Sequence, residues 1–178
     1  DNYNLIFKYH VRIKILNKNG LDQSDIEIPL DKDGINRSER ILQLKASSFN
    51  LEDGRVREEI LTDKNMFNEV RNKYRDVRKL AIPNVRVGSV IELTYTLDSP
   101  FIYNFRSWEF QSSIPKMESE YWARIPGVYQ YNITLRGFLK LSKNESSIVK
   151  ACLGTARDPL SGGFSADCSL MKLGMKNI

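Results

Sequence analysis

Apolar and polar residues alternate along much of this chain, and the period is two. From Leu5 to Leu16, Phe7, Tyr9, Val11, Ile13 and Ile15 alternate with Lys8, His10, Arg12 and Lys14, which sends one set of side chains to a core and the other to water, as a half-buried strand requires. Asn17-Lys18-Asn19-Gly20 supplies the turn chemistry that ends this strand, because Asn and Gly tolerate positive φ. Asp25 to Leu30 alternates again, and Pro29 either places that strand at a sheet edge or ends it there, since proline donates nothing to a ladder. Ile41 to Phe49 alternates less cleanly, Leu51 to Arg55 turns through Asp53-Gly54, and a return strand over Arg55 to Leu61 completes a hairpin. Val90 to Leu97 sets Ile91, Leu93, Tyr95 and Leu97 against Glu92, Thr94 and Thr96. The same reading predicts strands over Ser107–Ser112, with Trp108 and Phe110 facing a core, over Ser119–Ile125, and over Tyr129–Leu135.

One segment departs from this pattern. Between Asp63 and Lys79, Met66, Val70, Tyr74 and Val77 fall at helical spacing and charged residues fill the rest, which predicts a helix, although Ala and Leu are scarce and the flanks are β-branched and aromatic. After Ser142 the composition changes, with Ser, Gly, Asn and Lys thickening through Ala151 to Asp167. Many short strands separated by Gly or Pro, without the helices that parallel crossovers need, specify an all-β antiparallel sandwich or barrel. The expected organisation is a β-sandwich domain over 1–142 and a looser C-terminal β appendage over 143–178.

At 178 residues the chain fits one domain or two small ones, and a domain of that size buries roughly 70% of its unfolded surface, enough for a core. The apolar fraction of 41% and charged fraction of 28% are those of a globular protein, and no apolar run approaches the roughly 18 residues of a membrane-spanning helix. Asp1 to Asn4 carries no basic-then-apolar pattern, so the chain reads as a processed or trimmed product. A net charge of +5 raises anionic partners. The charges are interleaved, however, as in Arg37-Ser38-Glu39-Arg40 and Arg55-Val56-Arg57-Glu58-Glu59, and without a basic stripe or a recognition motif a nucleic-acid partner is not expected.

Catalytic equipment is sparse. His10, the single histidine, sits on the polar face of the first strand between Lys8 and Arg12, with no carboxylate nearby in sequence to orient it. The two cysteines, Cys152 and Cys168, are too few for a four-thiolate zinc site. They could be two free buried thiols, a nucleophile paired with His10, or a disulfide. The expected state is the disulfide, which would close a loop of about 17 residues, stabilise it by about 3 kcal/mol in the loop-entropy model, and fit an oxidising compartment. Gly162-Gly163 lacks the following Lys-Ser or Lys-Thr of a phosphate loop and reads as a turn. No catalytic, cofactor-binding or metal-ligating residue is expected. The aromatic cluster from Phe101 to Trp122 is the most suggestive feature: its alternating members should be core, while Phe101, Tyr103 and Phe105, between Pro100 and Arg106, form a candidate contact surface for a glycan or peptide.

These residues resemble a known family. Lys79-Leu80-Ala81-Ile82-Pro83-Asn84-Val85, Gly88-Ser89-Val90-Ile91-Glu92, Tyr95, Ser99-Pro100, Trp108-Glu109-Phe110-Gln111, Ile114-Pro115, Ser119-Glu120-Tyr121 and Ile125-Pro126 are similar to the DUF3857 family, as are Arg12 to Leu16 and Leu44-Lys45-Ala46. The likeness spans about Tyr9 to Gly137 and thins from Lys143 onward. It implies an immunoglobulin-like or related β-sandwich, an extended Asp63–Lys79, and structural roles for the motif residues, with Pro83 and Gly88 shaping a turn and Trp108 and Tyr121 packing. It also implies a domain of unknown function in exported proteins of Bacteroidota, often preceding a transglutaminase-like domain, so that any catalytic Cys, His and Asp set would lie beyond Ile178. The expected role is accessory or interaction module, with carbohydrate or peptide binding as the alternative.

Overall fold

The computed structural model describes residues 4–103, 105–154 and 165–178; the Gly162-Gly163 turn lies outside them. Among the described residues ten strands form three antiparallel sheets: β1 (Leu5–Lys14), β2 (Asp25–Asp31), β3 (Arg40–Glu52), β4 (Arg55–Ile60), β5 (Met66–Asn72), β6 (Arg75–Ala81), β7 (Val90–Ser99), β8 (Glu118–Pro126), β9 (Lys143–Gly154) and β10 (Ser165–Lys176). The chain groups into two compact units, Asp1–Phe105 and Arg106–Ile178.

The first unit is a sandwich of a four-stranded sheet in the order β1-β7-β3-β4 and a three-stranded sheet in the order β2-β6-β5. Its core takes residues from both sheets: Ile15, Ala46, Ile91 and Leu93 meet Ile28, Leu80 and Ile82. That is what alternation demands, since each sheet presents one apolar face that must be covered. β1 and β7 pair from Leu5 opposite Ser99 to Lys14 opposite Val90, which sets Tyr9 against Tyr95 with ring centroids 5.0 Å apart. β2 pairs only with β6, so Pro29 does lie in an edge strand. The β3–β4 hairpin turns at Asp53 and Gly54, whose φ values of 50° and 73° are the paired positive angles that a two-residue turn of this hand needs.

The helix expected over Asp63–Lys79 is not there. A single short turn of 3-10 helix, Asp63–Asn65, leads into the β5–β6 hairpin, as the family resemblance implied. Met66 and Val70 stand four residues apart, a spacing that shares a face on a strand as readily as on a helix, and Tyr74 belongs to the turn between the strands.

The second unit is a three-stranded sheet in the order β8-β10-β9. The segment expected to be a loose appendage therefore supplies two twelve-residue strands, and β10 pairs back onto β8 from Cys168 opposite Pro126 to Lys176 opposite Glu118. The compact units thus divide at Phe105/Arg106 rather than near Ser142. β9 and β10 change register between Ala166 and Cys168, where Lys150, Ala151 and Cys152 stand against Asp167 alone. Asp167 fastens this bulge, accepting from the Ala151 N–H at 2.9 Å and from Lys150 Nζ at 2.7 Å. Ser107–Ser112 and Tyr129–Leu135, both expected to be strands, carry no ladder. Trp108 and Phe110 are accordingly half-buried rather than core, with the Trp108 ring tilted at 31° against Tyr121, 5.8 Å between centroids, and donating to Ser119 Oγ at 3.1 Å.

Candidate functional site

An open cleft of about 420 Å³ lies in the first unit, lined by Asp31, Lys32, Asn72, Tyr74, Arg75 and Phe101. Three pieces of chain build it. β2 contributes its last residue, Asp31, and the loop that follows is shaped by Asp33, whose Oδ1 accepts the N–H groups of Ile35, Asn36 and Arg37. Those bonds hold the Asp33 carboxyl below the usual carboxylate range, the Ile35 and Arg37 amides most of all. The loop closes where the buried Glu39 exchanges bonds with Asp31: Glu39 N–H donates to the Asp31 carbonyl at 2.8 Å, and Asp31 N–H to Glu39 Oε2 at 2.9 Å. The β5–β6 turn contributes Asn72, Tyr74 and Arg75, with Tyr74 N–H capped by Asn72 Oδ1 at 2.8 Å and the Tyr74 carbonyl accepting from Lys32 N–H at 2.9 Å. The end of β7 delivers Phe101, over which the Arg37 guanidinium sits 5.2 Å from the ring centroid while bonding to the Pro100 carbonyl.

The charged groups of this cleft answer one another. Arg75 Nε reaches Asp31 at 2.8 Å, and Lys32 Nζ reaches Asp76 at 2.6 Å. Two aromatic rings complete the lining, Phe101 with Arg37 over one face and Tyr74 with Lys73 Nζ 4.7 Å from its centroid, so each has one face left to offer a ligand. Such a surface can stack a ring or an apolar side chain. It presents no nucleophile beside a base.

Of the aromatic residues singled out in the sequence, Phe101 enters this cleft, Tyr103 is 87% exposed, and Phe105 is half-buried. Tyr74 was missed because its spacing placed it on a helical stripe; Asn72, a turn residue two positions earlier, is the signal that could have moved it. Trp122 was missed as well. It is 56% exposed on the second unit's sheet, with Lys172 Nζ 4.3 Å from the ring centroid and its indole N–H donating to Glu120 at 2.8 Å. Its place on the polar face of β8, opposite Lys172, is the alternation signal that its bulk obscured.

His10 does have an acidic neighbour, but from another strand: Glu92 of β7 lies 2.7 Å from its Nε2 and also accepts from Arg12 at 2.8 Å. Arg12 and then His10 hold the Glu92 carboxyl below its ordinary range. Cys152 and Cys168 are joined in a disulfide within the second unit, whereas His10 belongs to the first. Among the described residues, no group of three or more His, Cys, Asp and Glu is placed to hold a metal ion, and no helix is long and apolar enough to cross a membrane.

The motif around Pro83 to Ser89 explains itself as a clamp. Asn84 and Gly88 take positive φ of 52° and 95°, and the loop they shape is tied to β3 by Ser48 Oγ donating to the Pro83 carbonyl (2.6 Å), Asn50 Nδ2 to the Asn84 carbonyl (3.0 Å) and Ser89 Oγ to Asn50 Oδ1 (2.6 Å). Ser48, Asn50 and Ser89 are all buried, so each polar atom there needs its partner.

The family model described as "Domain of Unknown Function with solved-structure structure (DUF3857)" matches residues 1–149. No curated protein and no solved structure matches the chain. Since that match covers most of the sequence, from β1 into β9, the chain belongs to the DUF3857 family.

Proposed function

We propose that this chain is a non-catalytic accessory module of an exported multidomain protein and supports a downstream transglutaminase-like domain. The observation that carries this reading is the stretch after β8. Tyr129–Leu135 alternates like a strand yet pairs with no strand among the described residues, and Ile133, Leu135, Phe138 and Leu139 are 54%, 57%, 105% and 50% exposed. Four large apolar side chains left in water within seven residues support a surface that another domain covers. An oxidising compartment fits the Cys152–Cys168 disulfide, and the interleaved ion pairs on the surface offer no basic track for a nucleic acid. The test is to produce the downstream domain with and without this chain and to compare its melting temperature and activity. Both should fall when the chain is removed, and unchanged values would defeat the proposal.

A second reading, a glycan- or peptide-binding module, is favoured by the Tyr74 and Phe101 faces of the cleft. Titration with a panel of oligosaccharides and peptides should then move the Phe101 and Tyr74 ring resonances, and Phe101→Ala should abolish the response. A panel without a binder removes this reading.

A further inference from the structure

The four-stranded sheet of the first unit ends on β4, which pairs with β3 alone. Every residue of β4 is exposed. Leu61 N–H donates to the Ala46 carbonyl at 2.8 Å, and the β3–β4 register runs in step with that bond, from Ser47 opposite Ile60 to Glu52 opposite Arg55. Backbone groups of an antiparallel strand point alternately toward and away from a given neighbour. Arg55, Arg57 and Glu59 therefore turn theirs to β3, while Val56, Glu58 and Ile60 turn theirs outward, where no described residue pairs with them. A row of this kind is a template for one more strand.

We propose that the strand it receives is β4 of a second copy of this chain, antiparallel, with Glu58 opposite its own counterpart. The sequence is self-complementary in that register. Val56 then faces the copy's Ile60, and Arg57 faces the copy's Glu59, each pairing occurring twice by the two-fold symmetry. Val56 and Ile60 are 70% and 61% exposed in the single chain, with Leu51 beside Val56 on β3 at 72%, so the apolar pairing joins side chains that the monomer leaves in water. Glu59 and Arg55 have no ion pair among the described residues, and Arg57 has Glu52 at 3.1 Å. Glu59 is thus left to answer a partner's arginine, and Arg57, 69% exposed at its side chain, would share itself between Glu52 and that partner. The other edges of the unit differ. β2 carries Pro29, β1 would set Lys8, His10, Arg12 and Lys14 against their own kind, and on β5 Glu69 and Arg71 already bond to each other and to Lys79 and Glu27. The like-charged Glu58 pair is the element that opposes association.

A six-residue strand buries less than the ~1,200 Å² of a stable interface, so the dimer should be weak and concentration-dependent. Sedimentation of the whole chain over a concentration series should show a monomer–dimer equilibrium, with the amides of Val56, Glu58 and Ile60 gaining hydrogen-exchange protection as concentration rises. Arg57→Glu and Glu59→Arg should each weaken the dimer about tenfold, because like charges then face each other across the strands. The double variant Arg57→Glu/Glu59→Arg should restore it, and Glu58→Gln should tighten it. Circular dichroism in the near ultraviolet, unchanged across the series, shows that the exposed substitutions leave the fold in place. A monomer at every concentration, a dimer indifferent to the single reversals, or a double variant that stays weak would each overturn the proposal. None of these outcomes bears on the support of a downstream domain.

Discussion

The two units reach order by different means. The first closes two sheets over a shared core in which Ile15, Ile28, Leu80, Ile91 and Leu93 are each no more than 2% exposed. The second has one three-stranded sheet among the described residues, whose buried side chains are Ala123, Cys168, Leu173, Met175 and Ser119. Three strands with one covered face stand near the lower limit of independent stability. The difference teaches where a covalent tie matters: the cysteines fall in the unit whose apolar burial is thinner, and the sandwich has none.

That contrast can be broken in order of expected effect. Leu93→Ala, at a site of 1% exposure, should cost the first unit about 2–5 kcal/mol through lost transfer energy and a cavity. Denaturant unfolding followed by the Tyr9 and Tyr95 resonances should show the loss in that unit. Replacing both Cys152 and Cys168 by Ala should lower the stability of the second unit by about 3 kcal/mol and leave the first unit's transition in place; equal shifts in both would mean that the units do not differ as described. Ser89→Ala strands Asn50 Oδ1 and the Arg86 N–H that Ser89 Oγ satisfies, and should cost the sandwich about 1–3 kcal/mol, read by thermal unfolding.

The smallest effect is one of pH. Asp98 is buried and accepts from Arg40 and Asn4, both at 2.7 Å, and those two groups, Arg40 foremost, hold its carboxyl below the ordinary range. A carboxylate whose folded pKa is depressed contributes stability above its unfolded value, about 3.9 for Asp, and that contribution is lost as pH falls through the folded value. Asp98→Asn should therefore be less stable than the parent at neutral pH, and the gap should narrow as pH drops below about 4. A gap that stays constant over that range would show that Asp98 acts through packing alone.

Much of the sandwich was legible because its faces are unequal. β1 and β7 alternate apolar and polar residues over their length, and Asp53-Gly54 announces its own turn, so local sequence decides both. The helix error arose where a strand is exposed on both sides: β5 has no buried residue, and Met66 and Val70 at a spacing of four serve either period. Tyr129–Leu135 failed for the opposite reason, since alternation gives a segment two faces but cannot supply the neighbouring edge that makes it a strand. The β8–β10 pairing was invisible locally, as Cys168 opposite Pro126 joins residues far apart in sequence. The cleft was half legible: Phe101 stood out as an aromatic in a loop, whereas Tyr74 reached it only through a hairpin whose period had been misread.

The bulge fastened by Asp167 carries a last consequence. Ala166 stands opposite Leu153 and Cys168 opposite Val149, so the two stretches of ladder are out of step by two residues, an even number. Side chains keep the same sidedness on either flank of the irregularity. Relatives of this chain can thus gain or lose a pair of residues at Lys150–Cys152 with the outer rungs still facing as they do now, whereas a change of one would turn every side chain beyond it from one surface of the sheet to the other.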